Sequence, residues 1–277
     1  MKYNESPRKK AVGGVAPVKA PMTQHRRRQI LELVKSDGAA HVTALAQKFG
    51  VSTVTIRNDL TKLARAGELL RDRGGAITAP PSRQITHLLG LKERAVLNHG
   101  AKQRIGKAAA QLVQAGDTII MDAGTTVVEM APHLGGFAPL TVVTNALNVA
   151  LAIASTGDAQ VILLGGTLSR EASSTVGPLA EQTLADLSVG KLFLGTQALD
   201  LHDGLTDTTL EISQVKRAMI KAAKQVFLLA DSTKWGHTGF IKVAQLVEID
   251  ALISDTKLPE AARAAVERLG IRLILAE

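Results

Sequence analysis

Four short polar clusters, each following a run of apolar residues, carry the side chains best suited to hold an anion. Asp122-Ala123-Gly124-Thr125-Thr126 follows Thr-Ile-Ile-Met, Thr144-Asn145 closes Thr141–Thr144, and Gly165-Gly166-Thr167 and Asp231-Ser232-Thr233-Lys234 close two further runs. A small glycine, two hydroxyls and free amides where a helix begins make a natural cradle for a phosphate. Lys216, inside a helical stretch, and Lys234 are candidate counter-charges for a phosphorylated ligand. Each cluster alone has a plainer reading: Gly-Gly after a strand is commonly a turn, and Asp231-Ser232 can be an N-cap. Four of them at the strand ends of one domain point to a shared ligand site.

Other chemistries lose support from what is missing. With no cysteine, thiol nucleophiles, disulfides, iron–sulfur sites and Cys-ligated zinc are excluded. No G-x-G-x-x-G and no G-x-x-x-x-G-K-[ST] occurs, which removes the usual dinucleotide and ATP signatures. The seven histidines are scattered without H-x-x-x-H spacing, so no metal is expected. Aromatic residues are 3%, too few for a sugar-stacking platform. Asp122, Asp203, Asp207 and Glu211 are the carboxylates available to a general base, and nothing in their spacing pairs two of them.

A second constellation lies near the start of the chain. Ile56, Leu60 and Leu63 are spaced i, i+4, i+7 behind Ser52, an N-cap, which predicts a helix with these residues inward. Thr53, Thr55, Arg57, Asn58 and Lys62 are then left outward. Arginine suits phosphate or guanine, and asparagine can pair bidentately with adenine. Arg71 and Arg73 flank the tip of a short hairpin and suit phosphates or the minor groove. The charge agrees: residues 1–83 hold 16 Lys/Arg against 6 Asp/Glu, whereas the remainder holds 17 against 19. The net charge of +8 therefore comes wholly from the first third, as expected of one domain that meets a polyanion and another that does not.

The elements that must position these residues follow from periodicity. Residues 1–22 read as a flexible basic tail. Residues 23–78 give three short helices, stopped near Gly38, Gly50 and Gly67, and the hairpin Leu69–Ile77: a winged helix-turn-helix. A linker at 79–100 opens with Pro80-Pro81. Residues 101–277 then alternate strand-like runs (118–122, 141–144, 160–164, 191–194, 225–229, 251–254, 272–275) with Ala-rich helices (103–114, 179–187, 210–224, 259–269). That pattern predicts an α/β domain with a mostly parallel sheet covered on both faces, and ligands beyond the carboxyl ends of its strands. No run approaches the length of a membrane span and the basic start lacks the apolar core of a signal peptide, so a cytoplasmic protein without membrane contact is expected.

From about residue 23 onward the chain resembles the DeoR/GlpR family of bacterial sugar-metabolism regulators. The first half carries Arg28-Gln29-Ile30, Phe49-Gly50-Val51-Ser52, Thr55-Ile56-Arg57-Asn58-Asp59-Leu60 and Gly74-Gly75-Ala76. The second carries Gly116-Asp117-Thr118-Ile119, Asp122 with Gly124-Thr125-Thr126, Thr144-Asn145, Gly165-Gly166, Gly204-Leu205-Thr206-Asp207 and Asp231-Ser232-Thr233-Lys234. The resemblance implies a sensor domain with a fold like ribose-phosphate isomerase and glucosamine-phosphate deaminase, a phosphorylated sugar as effector, and a homodimer or homotetramer on double-stranded operator DNA. It carries the effector site to Asp122, Gly124, Thr125, Thr126, Thr144, Asn145, Gly165, Gly166, Lys216 and Lys234. Two positions depart from it. Asn58 stands where many members have a second arginine, a form similar to regulators of N-acetylgalactosamine (Aga) use, and Thr233 stands where serine is common.

The expected function is a transcriptional repressor released by a phosphorylated sugar, with no enzymatic activity and no cofactor. The alternatives are a sugar-phosphate isomerase or deaminase carrying an accessory DNA-binding domain, and a ligand-free nucleoid-type binder, which leaves the strand-end clusters unexplained.

Overall fold

The computed structural model describes residues 22–65, 69–72, 74–78, 83–85 and 89–277. The tail, Arg73 and Pro80-Pro81 lie outside these. The first half opens with α1 (Met22–Asp37), β1 (Ala39–His41), α2 (Val42–Phe49) and α3 (Thr53–Arg65), followed by β2 (Leu69–Asp72) and β3 (Gly75–Thr78). The strands form an antiparallel sheet in the order β1-β3-β2, so β1, which the sequence pattern did not suggest, completes the wing. Ile30, Val34, Val42, Leu45, Ile56, Leu60, Leu63 and Leu69 make the core. Leu33 packs against it, and Leu31 is only half-buried. Gly50 sits at φ 61° and returns its N–H to Ala46 and Gln47, a left-handed helix end that favours glycine.

Asp59 holds this half together. It is buried in α3, and its two oxygens accept from Arg26 Nε at 2.6 Å and Arg27 Nε at 2.8 Å of α1. The outward face of α3 is fixed by that clamp and by the core stripe.

Between the halves lie β4 (Arg83–Gln84), α4 (Leu91–Val96) and α5 (His99–Ala110), so the stretch expected to be a linker carries secondary structure. The second half continues with β5 (Thr118–Met121), β6 (Thr141–Thr144), α6 (Leu147–Ala154), β7 (Gln160–Leu163), β8 (Thr167–Ser169), β9 (Ser174–Val176), α7 (Pro178–Ala185) and β10 (Val189–Gly195). It then runs through β11 (Ala198–Asp200), β12 (Gly204–Asp207), α8 (Leu210–Ala222), β13 (Ala223–Leu229), β14 (His237–Thr238), β15 (Ile241–Ala244), β16 (Ala251–Asp255), α9 (Glu260–Arg268) and β17 (Arg272–Ala276).

Among the described residues, seven parallel strands form one sheet in the order β17-β16-β13-β10-β5-β6-β7. Alternate residues feed opposite cores. Ile120, Leu192, Leu194 and Leu228 join α7, α8 and α9, whereas Ile119, Met121, Phe193 and Phe227 join α5, α6 and the 3-10 segment Val127–His133. Phe193 stacks on Phe227 with ring centroids 5.3 Å apart. The chain winds outward from β5 through β6 and β7, then restarts on the other side of β5 with β10. That reversal opens a crevice between the carboxyl ends of β5 and β10, where open α/β sheets place ligands. Smaller antiparallel pieces, β11-β12-β15 and β8-β9, follow these ends, and β14 pairs in parallel with β4.

Candidate functional site

The crevice between β5 and β10 contains two adjoining cavities. The inner one is lined by Arg94, Ala123–Thr126, Gly195–Gln197, Lys216 and Lys234. The outer one, about 270 Å³, is bounded by Arg94, Asn98, Lys102, Gln197, Asp231 and Lys234 with Ile85, Leu89 and Leu97. Of the residues singled out in the sequence, Gly124, Thr125, Thr126, Lys216 and Lys234 therefore meet at one place. Asp122 lies directly beneath, its Oδ2 accepting from the Gly195 N–H at 3.0 Å.

Lys216 is fully engaged. Its Nζ donates to Asp207 Oδ2 at 2.8 Å and to the Gly195 carbonyl at 2.9 Å, and Asp122 Oδ2 is 3.5 Å away. Burial opposes its charge, but the two carboxylates outweigh burial and hold its pKa above the ordinary lysine value. One cation thus serves two buried carboxylates, and burial pushes the Asp122 carboxyl above its usual range. Lys216 fixes the floor of the cleft, and much of its charge is offset before any ligand arrives.

Three other cations are less compensated. Lys234 and Lys102 both have their pKa lowered, first by burial and then by cationic neighbours that include Arg94 for each; Asp231 partly restores both. Arg94 is lowered by burial, opposed by Asp207 and Asp122. It donates Nε to the Leu89 carbonyl at 2.9 Å and Nη2 to that of Glu171 at 3.2 Å, and it makes no ion pair among the described residues. Buried cations without paired anions are costly, and a bound anion relieves that cost. Neither Arg94 nor Lys102 was singled out in the sequence. For Lys102 a signal existed: it shares a helix face with Ile105 and Ala109, the buried side of α5.

The Asp231 cluster opens a 3-10 turn whose N–H groups are capped by Asp231 Oδ1, 3.1 Å from Thr233 N. Asn98 Nδ2 reaches the same oxygen at 3.1 Å and Thr233 Oγ1 at 3.2 Å. Asp231 Oδ2 is buried and has no hydrogen-bond partner among the described residues, leaving an acceptor at the edge of the outer cavity.

Thr144, Asn145, Gly165 and Gly166 do not line either cavity. Thr144 Oγ1 accepts from Ala146 N at 3.1 Å, and Asn145 Nδ2 donates to the Thr175 carbonyl at 2.8 Å, so this pair ties the end of β6 to β9. Gly166, at φ +140°, passes so close to β9 that a Cβ would stand 2.5 Å from the Val176 carbonyl oxygen. Gly165 is exposed beside it.

On the other half, Ser52 caps α3: its Oγ accepts from Thr55 N at 3.1 Å and lies 2.9 Å from Thr55 Oγ1. Arg57, Asn58 and Lys62 are exposed on α3, and Thr53 and Thr55 are half-exposed at its start. Val54, 60% exposed on the same face, went unremarked in the sequence; the thymine methyl is the base-edge group that an apolar side chain contacts. Arg71 is half-buried on β2, lowered by burial and then by Arg268 and Arg57 nearby, so it belongs to the flank of α3 rather than to a free wing tip.

Residues 26–81 match the DeoR-like helix-turn-helix domain, and residues 97–256 match the DeoR C-terminal sensor domain. A proposed aga operon transcriptional repressor of Escherichia coli O157:H7 is 32% identical over 256 residues, covering 91% of this chain and 94% of its own. The HTH-type transcriptional repressor GlcR of Bacillus subtilis is 35% identical over 248 residues, covering 90% and 94%. Among solved structures, the sorbitol operon regulator SorC of Klebsiella pneumoniae aligns over 87% of this chain and 98% of its own with a TM-score of 0.40 and 13% identity. Ribose 5-phosphate isomerase A of Methanocaldococcus jannaschii aligns over 50% and 55%, with a TM-score of 0.38 and 14% identity. With its helix-turn-helix and its sensor domain both matched along one chain, the protein belongs to the DeoR family of helix-turn-helix transcriptional regulators.

Proposed function

We propose that this protein is a transcriptional repressor of a sugar or amino-sugar catabolic operon that leaves its operator when a phosphorylated sugar fills the cleft between β5 and β10. The observation that carries the reading is the gathering of Arg94 and Lys234 beside the Gly124–Thr126 turn, with Lys102 in the adjoining outer cavity, in a chain whose other half is a winged helix-turn-helix. A phosphomonoester matches that charge, and the turn offers hydroxyls and amides to its oxygens. The effector site comprises Gly124, Thr125, Thr126 and Lys234 in contact with the ligand and Asp122 and Lys216 as the floor, while Thr144, Asn145, Gly165 and Gly166 shape the neighbouring strand ends outside it. Ser52, Thr53, Thr55, Arg57, Asn58 and Lys62 meet DNA, with Val54 beside them and Arg71 and Arg73 on the backbone. A two-fold operator calls for at least a homodimer acting in the cytoplasm.

The test is a thermal-shift screen against phosphorylated sugars and amino sugars. A ligand at a hundred times its Kd stabilises by about 2.7 kcal/mol. A selective hit supports the reading, and a flat screen across the panel sinks it.

A second reading, a sugar-phosphate isomerase or deaminase, draws on Asp122, a carboxylate with a raised pKa at the cleft floor. The Lys216 interaction and the regulator names of the relatives weigh against it. Turnover of ribose 5-phosphate or of any hit from the screen would establish it.

A further inference from the structure

The cleft is not built from the sensor domain's sheet alone. Arg94, Asn98 and Lys102 reach it from α4 and the start of α5, the segment that joins the DNA-binding half to the sheet. This segment is tied to the cleft at several points. β4 pairs with β14, Ile85 N donates to the Thr238 carbonyl at 2.7 Å, Asn98 bonds Asp231 and Thr233, and Lys102 Nζ donates to the Arg94 carbonyl. Little apolar burial anchors it, since Leu89, Val96 and Leu97 are 42%, 78% and 52% exposed. Elements held by a few polar contacts are those that shift most readily.

Arg94 is the hinge of this arrangement. Only 7% exposed, it borders both cavities, and its guanidinium donates Nε and Nη2 to two backbone carbonyls, those of Leu89 in its own segment and Glu171 in the β8–β9 turn. A doubly charged phosphate is a stronger acceptor than a carbonyl. Resting on the phosphate-sensor reading above, we propose that Arg94 is a direct ligand of the effector's phosphate and that occupancy of the cleft is transmitted towards the DNA-binding half through β4 and α4. The ligand draws the guanidinium away from Leu89 and Glu171, and the segment follows. A ligand that contacts the connecting segment differently in two arrangements has the differential interaction that coupling requires.

The experiment uses the full chain with inorganic phosphate as probe and chloride at matched ionic strength as control. Phosphate affinity is read by ³¹P line broadening, and amide exchange over residues 83–98 is read by mass spectrometry. In the wild type, phosphate binds and alters exchange in that segment. Arg94→Gln binds phosphate at least tenfold more weakly and loses the exchange response, and Arg94→Lys, which keeps a charge, recovers part of the affinity. Lys234→Gln also binds more weakly, yet at saturation still shows the exchange response. Arg94→Lys stands in if Arg94→Gln does not fold. Wild-type affinity in the Arg94 variants, or unaltered exchange in phosphate-saturated wild type, overturns the proposal and leaves the sensor reading intact. No phosphate binding by the wild type removes both.

Discussion

Lys216 Nζ lies 2.8 Å from Asp207 Oδ2, joining the buried face of α8 to the end of β12 under the cleft. The pair closes the floor beneath the Gly124–Thr126 turn, and its stability role should be separable from ligand binding. Replacing Lys216 with Met leaves Asp122 and Asp207 buried without their cation. Breaking such a buried pair costs about 3–5 kcal/mol, measurable by urea unfolding. Adding Asp207→Asn and Asp122→Asn should recover much of the loss. A Lys216→Met protein as stable as wild type would show that the carboxylates are not charged as a group.

Operator recognition should fail selectively at α3. Arg57→Ala and Asn58→Ala each remove an exposed α3 side chain that the proposed function places against base edges, and a good bidentate contact is worth about 1–3 kcal/mol of discrimination. Fluorescence anisotropy on a duplex selected from a random pool by the wild-type protein would report a loss of roughly tenfold or more per variant, with phosphate binding in the cleft unchanged. Full-strength DNA binding by both variants would remove them from the interface.

Effector affinity should fall as pH rises. Lys234 and Lys102 have lowered pKa values, chiefly through burial. A bound phosphate favours their charged forms, so binding raises both pKa values and takes up protons. Affinity is therefore greatest below the free-site pKa values and declines as pH climbs through them. Calorimetry in buffers of different ionisation heat would detect the proton uptake. Proton release on binding would contradict this assignment.

Lys234→Ala should weaken the effector response while leaving effector-free DNA affinity at the wild-type level. The side chain lines both cavities of the sensor half. A gel-shift titration with the hit from the sugar-phosphate screen reads both quantities, and an unchanged dose-response would exclude Lys234 from the site.

Asp59→Ala should loosen the DNA-binding half. Its carboxylate receives Arg26 and Arg27 at 2.6 and 2.8 Å, and hydrogen bonds to a charged group are worth about 1.5–3 kcal/mol each. The Arg26 and Arg27 side chains keep some exposure, so a total loss of about 2–3 kcal/mol is expected from the same principle. The first transition in thermal unfolding should move down, with the sensor domain's transition unmoved.

The chain's own pattern determined the two-part architecture, because periodicity and charge are local properties. Ile56, Leu60 and Leu63 at helical spacing fix which face of α3 is outward, and alternation along the apolar runs fixes a sheet buried on both sides. Strand-end turns such as Asp122–Thr126 were legible for the same reason: glycine and hydroxyl residues directly follow a buried strand. Tertiary structure alone decided which strand ends meet. Strand order sets β5 beside β10 and leaves the ends of β6 and β7 one and two strands away, so Thr144, Asn145, Gly165 and Gly166 serve the turns while Thr196 and Gln197 enter the cleft. It also decided that Lys216 is held between Asp207 and Asp122, and that Arg94 and Lys102, from a stretch without a motif, supply cations beside Lys234. A cation's partners lie far away in sequence, and only folding brings them within the few ångströms over which charge decides binding.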